Sequence, residues 1–158
     1  MTDAKETIVM GKMPLLAEFA LLREGARMPT RANDLAIGWD LYAFAADRGG
    51  RHFQLSPHSV TKIPTGIAVK PPLGYYFQLC SRSGWGSKGF FVANAPGIID
   101  PDYQEEIFVL FYNGTSRPEY VSHENRIGQL VLAPIVPFAW VEAAPWTTSR
   151  KGFGSTGK

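Results

Sequence analysis

The stretch with most capacity for chemistry in this chain is "NAPGIIDPDYQEEI", Asn94 to Ile107. Asn-Ala-Pro-Gly is turn-forming and the following "EEIFVLFYN" reads as a strand, so the segment is expected to be a hairpin presenting Asp100, Asp102 and Tyr103 near its bend. A carboxylate in a strand-flanked turn can act as general base on water when the scaffold fixes its geometry. Taken singly, Asp100 is an ordinary turn residue and Tyr103 an ordinary half-buried strand residue. A second chemical stretch is "GFGSTGK", Gly152 to Lys158. It matches the opening of a P-loop, G-x-x-x-x-G-K, without the Ser or Thr and the helix that complete one. Its glycine backbone N–H groups, the hydroxyls of Ser155 and Thr156 and the charges of Arg150, Lys151 and Lys158 nevertheless suit a polyphosphate. The plain alternative is a solvated terminus.

The elements that must position these residues read as strands. Between 16 Gly and 12 Pro lie short runs rich in β-branched and aromatic residues: "SVTKIPTGIAV", "GYYFQLCS", "GFFVANA", "EEIFVLFYN" and "RIGQLVLAPIV". Such runs at regular spacing predict an all-β protein, a sandwich, barrel or jelly roll. "PLLAEFALLREGAR", Pro14 to Arg27, fits a helix and a strand about equally well. From Pro145 onward the chain is dense in Gly, Ser and Thr without apolar period, so a flexible arm is expected there.

Composition sets outer bounds. The 158 residues are 45% hydrophobic and 19% charged, as in one globular domain. A net charge of +2 is too small to mark a nucleic-acid surface. The single cysteine, Cys80, excludes an internal disulfide and a zinc-finger spacing and points to a reducing compartment. "MTDAKETIVMGK" contains acids and no apolar core of signal-peptide type, and "IGQLVLAPIVPFAWV" is too short and proline-broken to cross a bilayer. The expectation is a soluble cytoplasmic protein with no membrane contact. His52, His58 and His123 are scattered and read as surface or hydrogen-bonded core residues rather than metal ligands.

In ordered series the chain carries "AIGWDLYA" (Ala36 to Ala43), "SRSGWGSK" (Ser81 to Lys88), "NAPGIIDPDYQEEI", "RIGQLVL" (Arg126 to Leu132) and "RKGFGSTG" (Arg150 to Gly157). In these five motifs it resembles the homotrimeric dUTP pyrophosphatases, over nearly its whole length. The resemblance implies a distorted jelly-roll or β-barrel domain over 1–145, with an N-terminal extension at 1–12, and a flexible arm at 146–158 that closes over the active site. It implies a homotrimer with active sites at subunit interfaces, hydrolysing dUTP to dUMP and pyrophosphate with Mg²⁺. By the same resemblance Asp100 is the general base for water attacking the α-phosphorus, and Gln129 lies near the phosphates and that water. Tyr103 packs on the deoxyribose where a 2′-hydroxyl would sit. Asn94, Ile98 and Ile99 form the uracil-reading edge, with Phe108 a further contact across the hairpin. Arg82, Ser83 and Gly84 bind phosphate, and Asp40 holds Mg²⁺ through water. In the arm, Phe153 stacks on uracil and Arg150, Gly154, Ser155 and Thr156 wrap the distal phosphates.

Chemistry agrees with that assignment. Phosphoryl transfer is mainly positioning and charge stabilisation, so several unreactive donors suffice, and Mg²⁺ bound to phosphates needs only one or two carboxylates. The chain departs from the family at Glu105, where Gly is usual, at Trp85-Gly86, where Leu-Ala is common, and at Thr148, where an Arg is usual. Two alternatives are a dCTP deaminase-like enzyme and a regulatory or binding protein on the same fold. The deaminase would need a proton-shuttling Glu where this chain has Leu110, and the intact Asp100, Ser83 and Gln129 argue against a silent scaffold.

Overall fold

Each apolar run expected to be a strand becomes one, and turns separate them. The computed structural model describes residues 15–49 and 52–145. In chain order these form β1 (Glu18–Leu21), β2 (Trp39–Tyr42), β3 (His52–Leu55), β4 (Ser59–Pro64), β5 (Ile67–Lys70) and β6 (Tyr75–Cys80). One helical turn, α1 (Ser83–Gly86), follows, then β7 (Phe90–Val92), β8 (Gly97–Ile99), β9 (Phe108–Asn113), β10 (Glu119–Ser122) and β11 (Arg126–Pro134). The ambiguous stretch near the N-terminus supplies β1, a strand because it pairs with β5 from Glu18↔Lys70 to Leu21↔Ile67.

Strands that neighbour in sequence mostly do not neighbour in space. A four-stranded sheet runs β2-β11-β6-β8, a three-stranded sheet β4-β9-β7, and two ribbons pair β1 with β5 and β10 with β3. The fold is all-β and of jelly-roll type, as expected. Alternation decides the core. On β9, Val109, Phe111 and Asn113 are buried while Phe108, Leu110 and Tyr112 face outward. Phe111 meets Leu41, Leu55, Ile63, Leu79 and Ile127 in one fully buried cluster. Each such side chain stabilises the fold by about 1.5–3 kcal/mol relative to exposure. No helix among the described residues is long and apolar enough to cross a membrane.

One local expectation fails. The Asn94–Ile107 segment is not a hairpin, because β8 and β9 belong to different sheets. β8 pairs with β6 (Leu79↔Gly97, Phe77↔Ile99), whereas β9 lies between β4 and β7. The segment is an excursion between sheets, fastened where it leaves by Ala93 N–H on the Leu110 carbonyl (2.7 Å) and where it returns by Ile107 N–H on the Ile67 carbonyl (2.8 Å). Turn chemistry at Asn94–Gly97 is local information, but the choice of strand partner is made by burial of Leu79 and Phe77 against the core.

Candidate functional site

Asp40 on β2, Gln129 on β11 and Cys80 on β6 stand in one row of the four-stranded sheet. Residues directly paired across strands share a face, so all three point away from the core, which takes the next row through Leu130 and Leu79. Gln129 donates from Nε2 to the Ser81 carbonyl at 2.9 Å. Its Oε1 lies over Gly38, where an added Cβ would come within 2.0 Å of it. Glycine at 38 is thus what allows the amide to lie flat over β2.

Asp40 is 7% exposed and bound by two guanidinium groups. Arg82 donates from Nε to Oδ1 at 2.6 Å and from Nη2 to Oδ2 at 3.4 Å, and Arg126 donates from Nη1 to Oδ2 at 3.2 Å. Two cations on one carboxylate leave the trio with surplus positive charge at the mouth of a cleft of about 600 Å³, whose lining includes Ile37, Asp40, Arg82, Ser83, Gly84 and Gln129. Ser83 and Gly84 open α1, where the first N–H groups of a helical turn have no intrahelical acceptor. A Cβ at Gly84 would meet nothing within 4 Å, so packing inside the chain does not demand glycine there.

Arg126 was given no role in the sequence, and the reason is a bulge. From Arg126 to Gln129 is three residues on β11 but only two, Tyr42 to Asp40, on β2. Strict alternation would put Arg126 on the face opposite Gln129; the extra residue turns it onto the same face. Trp85, a departure from the family, closes the back of this arrangement. Its indole Nε1 donates to the Arg126 carbonyl at 2.9 Å, while its ring meets Phe90 and Phe111 edge-on at centroid distances of 5.4 Å.

The nucleoside-side residues lie elsewhere. Asn94 is exposed before β8, its side-chain nitrogen 3.1 Å from where a Cβ on Gly97 would stand. Ile98 is exposed on the outer face of β8, and Ile99 packs toward the core. Asp100 to Tyr103 form a β-turn closed by Tyr103 N–H on the Asp100 carbonyl at 3.1 Å, with Pro101 and Asp102 at its corners. Asp at the first position and Pro at the second favour that turn. Asp102 is therefore a corner residue, not the next-but-one residue of an extended chain. The Tyr103 hydroxyl donates to the Glu106 carbonyl at 2.9 Å. Glu105, the other departure, is exposed. Phe108 is not across a hairpin from Ile98: it opens β9 in the other sheet, with Lys62 Nζ 3.9 Å from its ring centroid. Arg150, Phe153, Gly154, Ser155 and Thr156 lie outside the described residues.

Within one chain the two groups are separated by the sheet register. Gln129 pairs with Cys80 and Ile99 with Phe77, so Asp100, one residue further, falls opposite Tyr76, four residues along β6 and two strands across. At about 3.3 Å per residue and 4.8 Å per strand, Asp100 and Gln129 stand roughly 16 Å apart. No residue of the Asn94–Glu106 segment lines the cationic cleft.

An all-β jelly roll with a cationic cleft on one sheet face and a carboxylate-bearing turn at its far edge defines a class of phosphate-binding proteins. The dUTPase family model matches residues 24–157, and the chain belongs to that family. It is 37% identical over 137 residues to the deoxyuridine 5'-triphosphate nucleotidohydrolase of Anaplasma marginale (strain St. Maries), covering 84% of this chain and 90% of the relative. The corresponding protein of Wolbachia sp. subsp. Brugia malayi (strain TRS) is 36% identical over 137 residues, covering 83% and 85%. Among solved structures, a dUTPase of Staphylococcus bacteriophage 80alpha with dUpNHpp is similar at TM-score 0.72 and 26% identity, over 90% of this chain and 98% of that one. The dUTPase of phage phi11 of S. aureus, described with a structural Mg(II) ion, has the same fold at TM-score 0.72 and 22% identity, over 84% and 99%.

Proposed function

We propose that this protein hydrolyses dUTP to dUMP and pyrophosphate at sites each assembled from more than one copy of the chain. Family membership makes it a dUTP diphosphatase, and the observation that supports a shared site is the register separation of Asp100 from the cleft. A water on Asp100 and a phosphate on Gln129 in one chain would lie far beyond the contact of about 3–3.5 Å that a reacting pair needs. A neighbouring copy presenting its turn to the cleft removes that gap, and a head-to-tail contact of this kind closes into a ring, here a homotrimer. Exposed apolar side chains supply surface for such contacts: Leu16 is 80% exposed, Phe138 75% and Trp140 90%, and an apolar groove of about 300 Å³ runs past Leu16, Phe19, Trp39 and Phe77.

In this reading Arg82, Arg126, Ser83 and the open backbone at Gly84 hold the phosphates, and Gln129 orients groups at the α-phosphorus. Asp100 takes a proton from the attacking water, and pyrophosphate leaves. Tyr103 lies against the deoxyribose, with Asn94 and the backbone at Ile98 and Ile99 facing the uracil. The arm at 146–158 closes over the nucleotide, Phe153 on the base and Arg150, Gly154, Ser155 and Thr156 on the phosphates.

The donor set fits Mg²⁺ held through water. A carboxylate oxygen accepts about two hydrogen bonds. Asp40 Oδ2 accepts from both arginines and Oδ1 from Arg82 alone, so Oδ1 retains room for one water but not for a chelated ion. Among the described residues there is no group of three or more His, Cys, Asp or Glu that could hold the ion unaided. Bound between the phosphates and that water, Mg²⁺ would neutralise charge developing on the leaving pyrophosphate.

Product analysis tests the proposal. Incubation with dUTP, UTP, dCTP and dTTP in Mg²⁺ should give dUMP and pyrophosphate from dUTP, with far slower turnover of the others. Release of ammonia, or turnover of UTP comparable to dUTP, refutes it.

A further inference from the structure

Glu106 belongs to no group assigned to the reaction, yet it is the fixed point on which the Asp100–Glu106 loop turns. Its side chain is 12% exposed and bonded at both oxygens: Oε1 accepts Gly66 N–H at 2.8 Å and Oε2 accepts Arg23 Nη2 at 2.6 Å. Each partner is itself fixed. Gly66 has φ +73° between β4 and β5, and a Cβ there would meet Ala26 at 2.7 Å, so no other residue type fits that turn. The Arg23 guanidinium also binds Asp47 at 3.1 Å and lies 5.3 Å from the centre of the Phe44 ring.

The peptide bond from Glu106 to Ile107 transmits this anchoring outward. Ile107 N–H is held by the Ile67 carbonyl at 2.8 Å on β5. In a planar trans peptide the carbonyl points opposite to the N–H, so the Glu106 carbonyl is directed out of the body, where it accepts the Tyr103 hydroxyl at 2.9 Å. The Tyr103 ring is thereby held at two ends, its N–H on Asp100 and its hydroxyl on Glu106.

We infer that Glu106 is a positioning residue for sugar discrimination: clamped by Arg23 and Gly66, it holds the Tyr103 ring in place and so sets the preference for a 2′-deoxyribose over a ribose nucleotide. The inference rests on the reading of Tyr103 as the sugar-facing residue. Loss of the clamp lets the ring give way to a 2′-hydroxyl, so ribose substrate gains relative to deoxyribose.

The test is the ratio of kcat/KM for dUTP to that for UTP, with Tm as the folding control. Glu106→Gln keeps an oxygen for Gly66 N–H but loses the charge opposite Arg23; Tyr103→Phe removes only the hydroxyl bond. Each should lower the ratio by about tenfold or more, the scale of an ångström-sized misplacement of a positioning group. Because both act on one bond, the double variant should be no less selective than the worse single one. If Glu106→Gln does not fold, Arg23→Met, which leaves the Gly66 bond in place, should lower the ratio in the same direction. A Glu106→Gln enzyme that loses activity on both substrates equally, with the ratio unchanged, overturns the inference, as does a double variant whose losses multiply. If Tyr103→Ala also leaves the ratio unchanged, it is the sugar-facing reading of Tyr103 that falls.

Discussion

Subunit mixing gives the sharpest test of the shared site. Asp100→Asn removes the base from the turn, and Arg82→Gln removes the cation that grips Asp40 at 2.6 Å in the cleft. Each variant alone should fall by about 10²-fold or more in kcat/KM, the usual contribution of a positioned base or an electrostatic clamp. If every site takes its cleft from one subunit and its Asp100 from the next, random trimers from equal amounts of the two variants carry both intact halves at about one site in four. A mixture of two nearly inactive proteins then regains about one quarter of normal activity. A second mixture sharpens the arithmetic. Wild type mixed equally with the double variant should give about one quarter of full activity for shared sites and about one half for sites within a chain. The roughly 16 Å between Asp100 and Gln129 is the quantity at stake. Co-refolding with differently tagged subunits, native mass spectrometry to verify mixing and steady-state dUTP hydrolysis complete the assay. Verified mixed trimers that stay at the parental level, together with one-half activity in the second mixture, would show the separation argument to be wrong.

Gly38→Ala should push the Gln129 amide off the Ser81 carbonyl, because the new methyl would stand 2.0 Å from Oε1 and 3.3 Å from the Gln129 Cβ. A fall of about 10–10²-fold in kcat/KM with little change in Tm is expected, and full activity would remove Gln129 from the site. Asn113→Ala should destabilise the fold by about 2–4 kcal/mol, measured by urea denaturation at matched protein concentration. Asn113 is 0% exposed and donates to the Leu55 and Arg117 carbonyls while accepting from Thr115 N–H, so its loss strands all three.

Much of the architecture is local information and was legible as such. The alternation of "FVLFYN" states which face of β9 is buried, and the apolar runs between glycines and prolines mark β4 to β7 and β11 whatever they pair with. Motif order names the family, and the chemistry of Arg82, Ser83 and Gln129 follows from residue type. Tertiary structure decided the rest, because pairing is chosen by burial between distant segments. The same Asn94–Ile107 stretch that reads as a hairpin sends its first strand to β6 and its second to β4 and β7. A period of two puts Arg126 and Gln129 on opposite faces; a bulge that exists only when β11 meets β2 brings both to Asp40. Pro14 to Arg27 shows the same limit: its apolar spacing suits two periods at once, and only the β1–β5 ladder makes it a strand. Glu106, one carboxylate among 14 acidic residues in the sequence, becomes distinctive only when folding brings Arg23 and Gly66 to its two oxygens.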